Sequence, residues 1–343
     1  MRILVIGGTR FIGRLVIRKL HEQGQDVTVF HRGQNQIDLL DGVQEILGDR
    51  RSLSAVAERL QQVEPDVVLD MIPMMEQDAI DVMRIFKGIA RRVVAISSQD
   101  VYRAFGRVNL KESGPVDLSL ITEESPLREN LYPYRSQPSG EADDSQKWQD
   151  DYDKILVERV VMGDPELPGT VLRLPMVYGP GDYQHRMFYI LKHMADRRPA
   201  ILLDELEAQW KWTHGYVDNV AAAIALAVTN ERAAGRIYNV GEPITFTWAE
   251  WVGKIGEAAG WQGRIVTAPQ GTLPEPLRAG INAEQHIVVD SSRIRQELGY
   301  QEHVDIDEAI RRTVEWERAH PPAQIDTSQL DYEMEDKYLA SIL

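Results

Sequence analysis

The chain opens with Arg2-Ile3-Leu4-Val5-Ile6 and runs directly into Gly7-Gly8-Thr9-Arg10-Phe11-Ile12-Gly13. A short apolar, β-branched run of this kind reads as a fully buried strand. The glycines after it read as a tight turn. Ile12, Leu15, Val16 and Leu20 then recur at helical spacing and mark one buried face. Gly24 suits the end of that helix. A strand, a glycine turn and a helix in this order form a dinucleotide-binding start: glycine lets a pyrophosphate approach, and the helix N-terminus turns N–H groups toward it. Gly7, Thr9, Phe11, Ile12 and Gly13 are the residues expected along the cofactor. Arg10 stands where such fingerprints, written G-x-x-G-x-x-G, carry their middle glycine.

The same rhythm continues. Strand-like runs at 3–6, 27–30, 67–69 and 93–96 alternate with helical stretches at 11–23, 52–62 and 77–90. This alternation implies a parallel, doubly wound sheet. Residues 103–149 break it with a polar, proline-bearing excursion that reads either as a lid or binding loop or as an insertion without a role. Helical periodicity returns at 151–162, a buried strand at 170–174, an alanine-rich helix at 220–228 and a short strand at 237–240. Thr247-Trp248-Ala249-Glu250 has the form of a capped helix start, and 291–298 and 306–318 read as helices. The acidic tail after Pro321-Pro322 is expected to pack as a peripheral arm.

Composition narrows the function classes. The net charge of −15 disfavours nucleic acid as a partner, because that binding rests on neutralising phosphates with Lys and Arg. The chain has no cysteine, which removes disulfides and cysteine nucleophiles. No apolar run reaches the roughly 18–20 residues that span a bilayer, and no signal-peptide pattern is evident, so a cytoplasmic protein without a membrane partner is expected. The histidines are scattered without ligand spacing, so no metal site is expected. Trp210 and Trp212 read as core or pocket walls.

The second strand-like run ends at Phe30-His31-Arg32-Gly33, where an NAD site usually places a carboxylate on the ribose 2′-hydroxyl. Arg32 stands there instead. A guanidinium matches a 2′-phosphate, and Arg10 can reach the same corner, so NADP is expected over NAD, with NAD possible; the alternative is two surface arginines. Gly48-Asp49 follows a third strand. Asp49 can accept from the adenine amino group or cap the next helix, and Arg50 is expected with it on the cofactor.

Val93-Val94-Ala95-Ile96-Ser97-Ser98-Gln99-Asp100-Val101-Tyr102 is a buried strand ending in hydroxyls at the carboxyl edge of the sheet, the edge where such sheets bind ligands. With these residues the chain resembles the extended short-chain dehydrogenase/reductases, the NAD-dependent epimerase/dehydratase family. The match runs in order through GGTRFIG at 7–13, SSQDVY at 97–102, YDKILVE at 152–158, LRLPMVYGPGD at 172–182, GYVDNVA at 215–221, YNVGE at 238–242 and DSSRIRQELGY at 290–300. The arginine-bearing turn is also similar to an atypical branch that includes chloroplast stem-loop-binding proteins.

The resemblance implies a Rossmann domain over 1–172, with segments returning at about 216–240 and 286–300. It implies a smaller, discontinuous α/β substrate domain mainly within 173–320, with 321–343 as the arm. It assigns the catalytic hydroxyl to Ser98 and the nicotinamide-ribose lysine to Lys154. Ser97, Pro175 and Val177 fall to the cofactor, and Tyr102, Tyr178, Arg186, Lys211 and Tyr216 to the substrate. A nucleotide-activated sugar or related carbohydrate is the implied substrate and a homodimer the implied assembly. The family's Tyr-x-x-x-Lys is missing: Asp150 stands four residues before Lys154. Tyr152 is two residues before it, roughly 200° around a helix, and would point away unless the helix begins after it. Three readings stay open: Tyr152 or an excursion tyrosine (Tyr132, Tyr134) substitutes, Asp150 takes over, or hydride chemistry is lost and the protein is a sensor, a scaffold or an RNA-binding relative.

Overall fold

The computed structural model describes residues 1–34, 40–135 and 147–342. The first half runs β1 (Arg2–Ile6), α1 (Phe11–Glu22), β2 (Asp26–His31), β3 (Gln44–Leu47), α2 (Ala57–Gln61), β4 (Val67–Asp70), α3 (Glu76–Phe86), β5 (Arg92–Ser98), α4 (Arg103–Val108), α5 (Lys147–Asp150), α6 (Lys154–Met162) and β6 (Gly169–Leu174). The second half runs β7 (Met176–Tyr178), α7 (Phe188–Ala195), β8 (Ala200–Asp204), α8 (Glu205–Gln209), β9 (His214–Tyr216), α9 (Val217–Thr229), β10 (Arg236–Asn239), α10 (Trp248–Ala259), β11 (Arg264–Ala268), α11 (Ser292–Leu298), α12 (Ile306–Ala319) and α13 (Tyr332–Ile342).

Seven strands form one parallel sheet in the order β10-β6-β5-β4-β1-β2-β3. This is the doubly wound α/β sheet the alternation implied. Successive side chains of a strand face opposite ways. Ile3 and Val5 accordingly join Val16, Leu20 and Val220 in one core, while Leu4 and Ile6 join Leu60, Val82 and Phe86 in another. On α9, Ala221, Ala223, Ala225 and Ala227 are fully buried, small enough to bring the helix close. The chain order reverses between β1 and β4, so the crevice beyond their carboxyl ends is where such a sheet takes a ligand. Outside it lie two two-stranded parallel sheets, β7 with β9 and β8 with β11.

Three boundaries differ from the sequence reading for local reasons. The stretch read as one helix at 52–62 is a short 3₁₀ segment from Arg50, kinked at Ser52, followed by α2. The helix read from 151 begins at Lys154, because Asp153 caps it by accepting the Ile155 N–H at 2.8 Å. The arm after Pro322 contains α13, tied to α7 and its following turn by His193–Glu335 and Arg198–Asp336 ion pairs.

Candidate active site

Gly7 and Gly8 both take φ of +84°, a left-handed backbone that favours glycine. A Cβ on Gly13 would lie 2.2 Å from Gly8 Cα, so α1 rests directly on the turn. Arg10 caps α1 in extended backbone (φ −128°), which any residue adopts, so the backbone of the turn does not itself require glycine at this position. Phe11 carries the strain instead, at φ +32°. Its ring faces Gly181, where a Cβ would sit 3.7 Å from Phe11 Cδ2. Thr9 and Ile12 are half-buried along the turn. This cradle fits a dinucleotide pyrophosphate. Arg10 and Arg32 are both exposed, and Arg32 makes no ion pair among the described residues.

The next two cofactor candidates divide. Asp49 is exposed and accepts the Arg51 N–H at 2.9 Å, so it is a helix cap. Arg50 faces inward: its Nη1 and Nη2 hold Asp70 at 2.5 and 2.7 Å, and its Nε lies 3.0 Å from Asp78. Asp78 in turn accepts the Met74 and Met75 N–H groups at the start of α3. Arg50 thus braces β4 against α3, its charge spent on two carboxylates.

A similar correction applies at the end of β5. The Ser97 hydroxyl donates to Glu158 at 2.5 Å. Glu158 accepts from Arg173 Nη2 at 2.6 Å, Arg173 Nη1 donates to the Tyr102 oxygen at 2.9 Å, and Tyr102 donates to Asn239 at 2.6 Å. Ser97 and Tyr102, expected on cofactor and substrate, are links in a buried chain joining β5, α6, β6 and β10. Ser98 points the other way; it is half-buried and its Oγ accepts the Asp100 N–H at 3.2 Å.

Lys154 is 5 % exposed, and its Nζ donates to the carbonyls of Pro73 at 2.8 Å and Ile96 at 3.0 Å. An ammonium has three donors, so one remains for a ligand. Burial lowers its pKa to about 8 against the pull of Asp100 and Asp70. Because α5 ends at Asp150 and α6 begins at Lys154, the two residues do not share a helix, and the one-turn relation of the family pattern does not hold between them. Asp150 is not among the groups whose charge acts most on the lysine.

Tyr152 precedes the helix, so the angular argument against it lapses. It is 7 % exposed, and its ring centroid lies 5.8 Å from Lys154 Nζ. Its hydroxyl donates to Asp100 Oδ2 at 2.7 Å. Tyr134 folds back from the excursion: the residue is partly exposed, its ring is tilted against Tyr152 at 5.1 Å, and its hydroxyl reaches the same Asp100 oxygen at 3.4 Å. Tyr132 stays apart, its ring under Arg135 and its N–H on Asp153. Asp100 itself is 4 % exposed, and burial raises its pKa. Sequence reasoning did not select Asp100; the signal was a carboxylate two residues beyond Ser98 with no turn or cap to serve.

Beyond β6, Pro175 is half-buried and Val177 buried, with the Val177 carbonyl accepting from Arg186 at 3.2 Å. Arg186 also pairs with Asp182 at 2.7 Å. Tyr178 donates to Glu242 at 2.8 Å, and the buried Tyr216 hydroxyl faces Arg312 of α12. Both tyrosines, expected on the substrate, therefore point into the protein. Lys211 is half-buried beside His286. A cavity of about 320 Å³ lies at the end of β8, walled by Asp204, Glu207, Glu284 and Arg278 among others.

Residues 3–241 match the model of the NAD dependent epimerase/dehydratase family. The chain belongs to that family. A 2′-dehydrokanamycin reductase of Streptomyces kanamyceticus is 26 % identical over 287 residues, covering 81 % of this chain and 72 % of that protein. Two solved epimerase/dehydratase folds superpose on it. The UDP-glucose 4-epimerase of Thermotoga maritima with UDP-glucose has a TM-score of 0.66 at 18 % identity, covering 93 % of this chain and 99 % of that one. The dTDP-glucose 4,6-dehydratase of Bacillus anthracis with NAD has a TM-score of 0.67 at 15 % identity, covering 93 % and 97 %. Among the described residues no helix is long and apolar enough to cross a membrane.

Proposed function

We propose that this family member is an NADP-preferring oxidoreductase, epimerase or dehydratase that moves hydride to or from a carbon of a sugar substrate. The observation that carries this is the meeting of Ser98, Tyr152 and Lys154 through Asp100 and Ile96 at the end of β5, on the same carboxyl edge of the sheet as the glycine turn. A bound nicotinamide supplies the hydride acceptor or donor. Gly7, Thr9, Phe11, Ile12 and Gly13 would line its pyrophosphate, Lys154 its ribose, and Pro175 and Val177 its ring. Arg32 and Arg10 would hold the 2′-phosphate. Ser98 positions the reacting oxygen, and Tyr152 exchanges its proton with it.

A nucleotide sugar would set its diphosphate against Lys211, in a cleft between the sheet and the elements around β8 and β11. A second reading, an amine-bearing sugar, is favoured by the three carboxylates walling the cavity, of which burial raises Glu207 to about 7. Titrating NADPH and NADH by nicotinamide fluorescence, then screening nucleotide sugars and amino sugars for nicotinamide absorbance change, tests both. Turnover that disappears in Lys154→Met supports the enzyme. Cofactor binding without turnover across both classes would instead mark a sensor.

A further inference from the structure

We propose that Asp100 is the positioning residue that carries protons for this site, accepting the proton of Tyr152 on one side and exchanging it with Tyr134 on the other. The inference rests on the hydride-transfer reading above. It starts from how the carboxylate is held. A buried carboxylate that serves only structure is normally paired and fully hydrogen-bonded. Asp100 has a cation within reach and does not use it that way: Arg128 Nε donates to the Asp100 backbone carbonyl at 2.5 Å, and Nη1 donates to Asn130. Arg128 Nη2 lies 3.6 Å from Asp153. The Asp100 Oδ1 atom has no hydrogen-bond partner among the described residues, and Oδ2 holds two phenols. The charges facing it are Arg128, Lys154 and Asp153, with Tyr152 and Tyr134 as the remaining titratable groups.

This arrangement inverts the usual tuning of a catalytic tyrosine. A neighbouring ammonium favours phenolate, whereas a neighbouring carboxylate disfavours it. Burial and the Asp100 charge together hold Tyr152 well above its ordinary pKa. Tyr152 therefore cannot wait as a phenolate; it has to give up one proton as it takes another. In the oxidative direction the substrate O–H bond breaks and a Tyr152 O–H bond forms. The original Tyr152 O–H bond breaks and an Asp100 Oδ2–H bond forms. The substrate carbon would give up its hydrogen with the C–H electron pair, the hydride that a bound oxidised nicotinamide would accept, and a carbonyl would remain. Reduction runs the same exchanges backward from protonated Asp100. Tyr152 is 7 % and Tyr134 45 % exposed, so the carboxylate lies between a buried tyrosine and one that reaches the surface with part of its side chain.

The test needs no substrate. Phenolate formation is followed by near-ultraviolet absorbance from neutral to alkaline pH in the unaltered protein, Asp100→Asn, and Asp100→Asn with Tyr152→Phe. Removing the carboxylate should bring one phenol's titration down by roughly one pH unit or more, and the added Tyr152→Phe should abolish that new phase. Should Asp100→Asn fail to fold, infrared spectra of aspartate-labelled protein with Tyr152→Phe serve instead. Loss of the phenol donor should move one carboxyl titration, already above the usual aspartate range, further up. An unmoved phenol phase or carboxyl overturns the proposal. If the titrations move but no sugar is turned over, the proton couple stands and the hydride reading fails. If a sugar is turned over and Asp100→Asn keeps both its rate and its pH profile, the couple fails and the reading stands.

Discussion

Glu242 offers a stability test with a defined sign. It is 6 % exposed, and one oxygen accepts both the Tyr178 hydroxyl at 2.8 Å and the Tyr216 N–H at 3.2 Å. Burial raises its pKa from the usual 4.5 to about 7, against the lowering effect of those two donors. Between those pH values the folded protein keeps a proton that the unfolded chain has released. Stability from this group is therefore complete below pH 4.5 and is lost as pH rises through 7. Each pH unit of the gap is about 1.4 kcal/mol, so the full window is worth about 3 kcal/mol. A glutamine can accept the same two hydrogen bonds without the charge. Glu242→Gln should match the unaltered protein at pH 4.5 and exceed it by about 2 kcal/mol at pH 8, after allowing for weaker bonds to a neutral acceptor. Urea unfolding of both proteins at the two pH values measures this difference, and other titrating groups cancel in the comparison. An equal difference at both pH values would refute the argument, since it would mean the carboxyl ionises freely in place.

Gly13→Ala places a methyl 2.2 Å from Gly8 Cα, so α1 must lift from the turn; NADPH affinity by fluorescence should fall by tenfold or more, about 1.4 kcal/mol. Arg32→Asp combined with Arg10→Gly should shift the cofactor ratio toward NADH by roughly tenfold to a hundredfold, the worth of one or two charge-assisted phosphate contacts. A preference for NADH in the unaltered protein would defeat that assignment. Glu158→Ala strands the buried Arg173 guanidinium and the Ser97 hydroxyl. It should lower unfolding free energy by about 3–5 kcal/mol in denaturant titration, whereas Asp49→Ala, an exposed cap, should cost about 1 kcal/mol.

Buried parallel strands announce themselves in sequence because both faces are apolar. β1, β2, β4, β5, β6 and β10 were legible for that reason, and α10 because Thr247 and Glu250 form a capping box. β7 and β9 are three residues each, too short to show a period, and β11 is largely half-exposed with a charged start. In the site, glycine geometry was readable because φ leaves few alternatives. The inward turn of Arg50, Ser97, Tyr102, Tyr178 and Tyr216 was not. A polar residue at a strand end looks the same in sequence whether it faces a ligand or a buried partner far along the chain. Arg50 meets Asp70 and Asp78, Tyr102 meets Asn239 and Tyr178 meets Glu242, and no local spacing encodes those meetings.

The gap between α5 and α6 gives the two chemical groups different mechanical supports. Lys154 is anchored by its first helical turn and by two backbone carbonyls from β5 and the segment before α3. Tyr152 sits on the chain ahead of the cap, its hydroxyl on Asp100 and its ring against Tyr134. Movement of the phenol therefore does not require α6 to unwind. Any adjustment to a bound molecule would then fall to a single side chain and its short tether, while the ammonium keeps its place.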